Sequence, residues 1–331
     1  MSSLIVDIAE IKDIIEHPNA DRLEVCRIKG WNVITQKGLY KVGQKVIYAP
    51  PDCVLPLELS DAMDVTKYLS KGRIKTVKLR GYYSQGLIIP LDFLPAEHKD
   101  LEIGSNVADI LGITKYEPPI PIHMRGAIAP YNPFFYHYTD IEDIKNFPEV
   151  LREGEDVVIT EKIHGSSCKI GIVPQNTKYK YLVGSHNANL KEDDKNLYWR
   201  ASKLYNLEEI LVPGMIIYGE VYGQGVQKMH YGQKGINIVF FDIIRNERYD
   251  DYDDFEEFCR KYNLPFAPVL YRGPWSMDLL KYGQGKTMLS GNHIKEGFVV
   301  RPVKERFHPA VNRIILKYRS EAYLAGKYNN E

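Results

Sequence analysis

The chain has 331 residues, 44% hydrophobic and 26% charged, and its 43 Lys and Arg are balanced by 43 Asp and Glu for a formal net charge of zero. That length suits one large domain or two ordinary ones, and the composition is that of a globular protein. No apolar run approaches the roughly 18 residues of a membrane span, whereas zero net charge leaves a nucleic acid partner open, because charge distribution decides that.

The opening MSSLIVDIAEIKDII carries Asp7, Glu10 and Asp13 and lacks a basic stretch followed by an apolar core, so no signal peptide is expected. Residues 1–110 are β-rich. LEVCRI (23–28), WNVI (31–34), KVIYAP (45–50) and GLIIPL (86–91) are short apolar segments separated by Gly, Pro, Asn and Asp. Short strands so closely spaced predict a small barrel. In KGRIKTVKLR, Lys71, Arg73 and Lys75 alternate on one strand face, and Lys78 and Arg80 have the other parity. A bulge near Thr76 would gather them into one basic stripe, with Tyr82 and Tyr83 beside it to stack on bases. The alternative is a solvated edge whose charges block aggregation.

Five prolines fall within residues 116–133. That density stops helix and central strand alike. The expected organisation is a domain over 1–118, a Pro-rich linker over 119–133 and a second domain over 134–331. Thr139 and Glu142 form a capping-box pattern, and Ile141 and Ile144 begin an apolar stripe, so a short helix is expected to precede residue 157. Beyond it the strands are longer: CKIGIV, YKYLVGS, MIIYGEVYG, INIVFFDII, GFVVRP and RIILKYR. Helices are expected at 196–210 and 253–262, the latter capped by Asp253 or Asp254. The fold class is α+β. Cys26, Cys53, Cys168 and Cys259 lie far apart with no CxxC pair. They predict neither zinc nor disulfides and fit a reduced cytoplasm.

Within VVITEKIHGSSCKIGI (157–172) an apolar strand ends in Glu161-Lys162 and turns through His164 and Gly165. A lone lysine at a strand end is ordinarily a solvated charge. Here Glu220, Asp242, Glu296, Lys317 and Arg319 also interrupt or end apolar strands, where burial is costly unless the group is paired or bound. Such a set suits a polyphosphate with a divalent metal.

Lys162-Ile163-His164-Gly165 resembles the nucleotide-accepting motif of the covalent nucleotidyltransferases, in the KxHG form of phage-type nick-sealing and RNA-editing RNA ligases. YGEVYG, VFFDI, KEGFVV and LKYR resemble that superfamily's later motifs, in order. GQGVQKMHYGQKG (223–235) resembles the loop after the third motif, and YHYTDIEDI the segment leading into the first. The resemblance covers residues 134–320. It implies an antiparallel nucleotidyltransferase (ATP-grasp-like ligase) domain with flanking helices, working as an ATP-dependent RNA ligase with Mg²⁺ or Mn²⁺. Lys162 would attack the α-phosphate of ATP, its pKa lowered by burial and by nearby Lys317 and Arg319. Lys317 and Arg319 would hold the AMP phosphate. Glu220 would hold the ribose hydroxyls, Phe241 would stack on adenine over a strand supported by Asp242, and Glu296, with Glu220, would contact metal. Glu161, His164, Gly165 and His186 complete the implied nucleotide site. Phe241 as a core aromatic and His164 as a structural histidine remain open. So do a DNA ligase, a GTP-using capping enzyme and a non-catalytic RNA-binding protein.

The pattern departs from the family at three places. Ser185-His186 stands where an arginine is usual, and an imidazole cannot make a guanidinium's bidentate contact. The last motif reads Lys-x-Arg, and Ser167 replaces an asparagine. His17-Pro18-Asn19-Ala20-Asp21-Arg22-Leu23 resembles the opening of tRNA-binding OB-fold modules. About a dozen residues follow Arg319, so the N-terminal OB domain is expected to grip RNA ends, held as a nicked duplex, in a monomeric enzyme.

Overall fold

The computed structural model describes residues 3–117 and 127–326, so the part of the expected linker at 119–126 lies outside the described residues. The described chain forms two compact units: residues 3–117, 142–148 and 324–326 in one, and 127–141 with 149–323 in the other.

The first unit is an OB-fold barrel, nearly closed. Its five-stranded sheet runs Trp31–Gln36, Leu23–Ile28, Asp7–Glu16, Lys45–Ala49, Leu87–Ile89, with every neighbour antiparallel. The long strand Asp7–Glu16 serves two partners. Its first half pairs with Lys45–Ala49 and its second with Leu23–Ile28, with a register shift between Ile11 and Asp13. A bulge bends a strand and raises its twist, which is how one strand turns a barrel corner. Val25, Cys26, Ile28, Val46, Ile47 and Ile89 are all buried.

Residues 142–148 belong to this unit and form no helix. The capping-box reading fails because Glu142 is used elsewhere: its carboxylate accepts from Ser3 N at 2.7 Å. Gly30 N donates to Lys145 O at 2.9 Å, Trp31 Nε1 donates to Asn146 Oδ1 at 2.8 Å, and Lys145 Nζ donates to Gln85 Oε1 at 3.0 Å. These long-range bonds tie the segment down through its side chains and through the Lys145 carbonyl, which a helix would have used.

The basic stripe is likewise absent. Lys71 (φ 55°) and Gly72 (φ 76°) make a turn, and Arg73 is held by Asp52 at 2.6 Å and stacks over Tyr116 at 3.7 Å. Only Val77–Leu79 is a strand, in a hairpin with Tyr82–Ser84. His17 and Asn19 hold that hairpin's turn: His17 Nε2 lies 3.2 Å from Leu79 O, and Asn19 Nδ2 donates to Arg80 O at 2.9 Å.

The second unit contains two antiparallel sheets. One runs Asn189–Leu190, Lys178–Ser185, Ser166–Gln175, Met215–Gly223, Ile236–Arg245, Arg248–Tyr249. In the other, Leu316–Arg319, Gly297–Pro302, Asp156–Lys162 and Val269–Pro274 lie side by side. Side chains alternate between faces. Cys168, Ile170, Ile217 and Phe240 pack under the helices Leu197–Ser202, Leu207–Ile210 and Tyr252–Lys261. Val173, Ile216, Tyr218 and Ile244 of the same sheet pack with Val299 and Ile315. The helix Tyr252–Lys261 starts at Asp251, not at the expected Asp253 or Asp254. Asp253 instead pairs with Arg272 at 2.6 Å. Among the described residues no helix is long and apolar enough to cross a membrane.

Candidate active site

The segment Ile163–Gly165 carries the chain from one sheet of the second unit into the other. Lys162 is the last residue of Asp156–Lys162 and pairs in register with Gly297, and Ser166–Gln175 begins directly after the turn. Gly165 is required there. A Cβ on it would lie 2.2 Å from Val221 O and 3.0 Å from Glu220 Cγ. The bare backbone lets Gly165 N donate to Glu220 Oε1 at 3.1 Å, which sets the glutamate of Met215–Gly223 beside the lysine turn. Gly297 does the same for Glu296, since a Cβ there would meet Tyr318 O at 1.8 Å. Ser320 N then donates to Glu296 O at 2.9 Å.

Lys162 Nζ lies 2.8 Å from Glu296 Oε1. Burial pulls the lysine pKa down, but the charges of Glu296 and Glu220 outweigh it and leave the amine above its ordinary value, with Arg319 pushing the other way. This corrects the expectation of a lowered lysine: two carboxylates face it. Burial pushes Glu296 up, yet Lys162 and His164 bring it down to about 2. Burial dominates at Glu220, which is pushed up to about 8 against the pull of Lys162 and with Glu296 adding to the rise. The two carboxyls are thus pushed in opposite directions, Glu296 toward its charged form and Glu220 toward its protonated one.

His164 is held on three sides. Its backbone N–H donates to Tyr231 OH at 2.7 Å. Its Nδ1 lies 3.0 Å from Tyr323 OH and 3.5 Å from Glu296 Oε2. Ser166 Oγ and Tyr198 OH are 2.6 Å apart. Motif reading missed Tyr198, Tyr231 and Tyr323, which come from two short helices and a loop where no periodicity marks them.

Other residues expected at the site have different immediate partners. Glu161 is buried, and its Oε2 accepts from Met288 N at 2.6 Å. Lys317 Nζ donates to Ile141 O at 2.7 Å. Burial takes His186 down to about 4, so it is neutral and supplies no cation in place of the missing arginine. Asp242 is fully buried and bound by Arg301 NH1 at 2.8 Å, Arg313 NH1 at 2.7 Å and Tyr138 OH at 2.7 Å. It also accepts from Ile243 N at 3.0 Å, so its carboxylate is engaged by the strand and its neighbours.

Phe241 is the extra residue of a bulge: Gly219 pairs with Phe240 and Tyr218 with Asp242. Phe240 is in the core, while Phe241 is half-buried against Tyr138 at 5.0 Å. Bulges near active sites re-aim a side chain in this way.

Glu296 Oε2 is buried, with His164 Nδ1 3.5 Å away and no hydrogen bond among the described residues, which suits an oxygen with capacity left for a cation. No group of three or more His, Cys, Asp or Glu capable of holding a metal occurs among the described residues. A hard ion that keeps most of its waters fits such a sparse donor set.

Residues 155–319 match the RNA ligase family model, and residues 5–91 match an OB-fold domain model. No curated protein matches the chain. Among solved structures, a Naegleria gruberi RNA ligase mutant with AMP and Mn is similar at 25% identity and TM-score 0.86, over 98% of this chain and 99% of that one. Naegleria gruberi RNA ligase with pyrophosphate is similar at 25% identity and TM-score 0.85, over 100% of both chains. A further mutant with ATP and Mn is similar at 25% identity and TM-score 0.84, over 98% and 99%. With this lysine turn inside the matched segment and an OB-fold domain ahead of it, the chain belongs to the RNA ligase family.

Proposed function

We propose that this chain is an ATP-dependent RNA ligase that joins 3′-hydroxyl to 5′-phosphate ends through lysyl-AMP on Lys162. The observation that carries the reading is the strand-end Lys162, 2.8 Å from Glu296 at a turn whose glycine also binds Glu220. Similar structures hold ATP, AMP or pyrophosphate, which are the substrate, the transferred group and the leaving group of that chemistry.

In the resting site Lys162 is a paired cation, so the amine must lose its proton before it can attack. Its Nζ then bonds to the α-phosphorus of ATP as the bond to pyrophosphate breaks. A 5′-phosphate oxygen of RNA attacks the same phosphorus, the N–P bond breaks, and a 5′-5′ diphosphate forms. The 3′-hydroxyl attacks the RNA phosphorus and AMP leaves. Each step gathers negative charge on phosphoryl oxygens. Mg²⁺ or Mn²⁺ held through Glu296, with Glu220 near it, would supply neutralising charge there. Glu220 in its protonated form can both donate and accept a hydrogen bond, as a ribose diol requires. Arg319, close enough to Lys162 to depress it, is the better placed of the two expected phosphate cations.

The OB-fold domain would hold the RNA as a nicked duplex, and the chain would act as a monomer. Four buried free cysteines fit a reducing cytoplasm. The deciding experiment is incubation with α-labelled ATP or GTP and Mg²⁺ or Mn²⁺. Label should be retained from ATP and absent in Lys162→Ala. Label from GTP alone would make it a capping enzyme, and equal label in the Lys162 variant would move the nucleophile elsewhere. Nicked RNA and nicked DNA then separate the two ligase classes.

A further inference from the structure

Two loops beside the lysine turn have an unusual composition. Residues 224–235 and 284–295 contain no Asp or Glu, although the whole chain has 43. They contain Lys228, Lys234, Lys286 and Lys295, with Gln224, Gln227, Gln233, Gln284 and Asn292 among them. Lys228, His230, Lys234 and Lys286 are exposed. Met288, between them, is 63% exposed.

The loops are fixed to each other and to the catalytic turn. His230 and His293 meet edge to face at 4.9 Å, and Tyr231 meets His293 at 5.6 Å. Tyr231 is held at φ 54°, a left-handed conformation that a bulky residue keeps only when its surroundings impose it. Its hydroxyl accepts from His164 N at 2.7 Å. On the other loop, Met288 N donates to Glu161 Oε2 at 2.6 Å. Both residues flanking the Lys162-Ile163 pair therefore anchor a loop. Gln227 Nε2 also reaches Gly165 O at 3.4 Å.

We infer that these two loops form one RNA-docking platform, on which Lys228, Lys234 and Lys286 take the phosphates of the strand whose end lies at Lys162. The inference rests on the ligase reading for the identity of the end, while the binding surface is argued from the loops themselves. Two cationic, amide-rich loops with no carboxylate of their own suit a phosphodiester backbone with 2′-hydroxyls. Pinning through Glu161 and His164 sets the strand's register against the nucleophile without placing these lysines in the chemistry.

The test uses the full chain with Lys228→Ala, Lys234→Ala and Lys286→Ala combined. Affinity for a nicked RNA duplex is measured over a range of salt, beside label uptake from ATP without RNA. Lost phosphate contacts should weaken binding at least tenfold at low salt. They should flatten the log–log salt slope by roughly two to three, at about 0.7–0.9 for each of the three contacts, while label uptake stays within twofold. Unchanged affinity and slope would overturn the platform. So would a parallel loss of label uptake, because the lysines would then be supporting the nucleotide site. If the unsubstituted chain took no label, the ligase reading would fail and the affinity arm would still decide the platform.

Discussion

Lys162 Nζ lies 2.8 Å from the buried carboxylate of Glu296, whose charge helps to hold the amine's pKa above its ordinary value. The reactive amine is therefore a minor species at neutral pH. The initial rate of label uptake at low ATP should rise about tenfold per pH unit from pH 6.5 into the alkaline range, following the neutral fraction. A profile flat above pH 7 would mean the carboxylates do not govern the lysine before ATP binds.

Asp242 should be the most costly carboxylate to neutralise. Asp242→Asn leaves the buried Arg301 and Arg313 to share Glu305, which lies 3.6 Å and 2.6 Å from them, and should destabilise the protein by about 3 kcal/mol, read from denaturant midpoints. Burial pushes Asp242 up, but the two arginines outweigh it and hold it below the ordinary range. Its contribution is full above the unfolded Asp value, near pH 4, and is lost as pH falls through the lower folded value. Wild type should therefore lose stability below pH 4 more steeply than the variant.

Lys169 presents the opposite sign. It is 2% exposed, its Nζ donates to Phe135 O at 3.1 Å, and burial takes its pKa down to about 8. A depressed lysine penalises folding below its folded value, and the penalty is relieved as pH rises from there toward the unfolded value. Lys169→Met should stabilise the protein at pH 7 by about 1–2 kcal/mol, the gain from removing the charge exceeding the lost hydrogen bond. The difference should shrink between pH 8 and 10, and a constant difference would contradict the charge argument.

Gly165→Ala tests the close approach at the turn. The new methyl would meet Val221 O, so the turn must move away from Glu220. A displacement near 1 Å should slow label uptake by roughly 100-fold with a much smaller effect on melting temperature. Labelling at the wild-type rate would show that the approach does not set the site.

Much of the candidate site was legible because its charged residues sit where apolar strands end or are interrupted. Lys162, Glu220 and Glu296 each follow or interrupt such a run, and the structure brings them together. The charge state of Lys162 was not legible, because it depends on which carboxylates face the amine across three strands. Strand Val269–Pro274 escaped notice because its half-exposed residues lie among prolines and no burial pattern marks it. The helix expected after Thr139 and the stripe through Arg73 failed for one reason. Each was a local pattern whose key residue, Glu142 or Arg73, had a distant partner. His17 and Asn19 were noticed for their resemblance to another module, and their local work is to hold a hairpin turn.

The unit that holds the barrel is assembled from three separate stretches of polypeptide, residues 142–148 and 324–326 joining the N-terminal one. Anyone building chimeras would therefore not find a cassette ending at residue 118. An exchanged barrel would need its own counterpart of Lys145 and Asn146 grafted downstream, or Gln85 and Trp31 would lose the partners they have here. Insertions and permuted termini meet the same constraint: a graft that exchanged only residues 1–118 would bring a barrel without the later segments that pack with it.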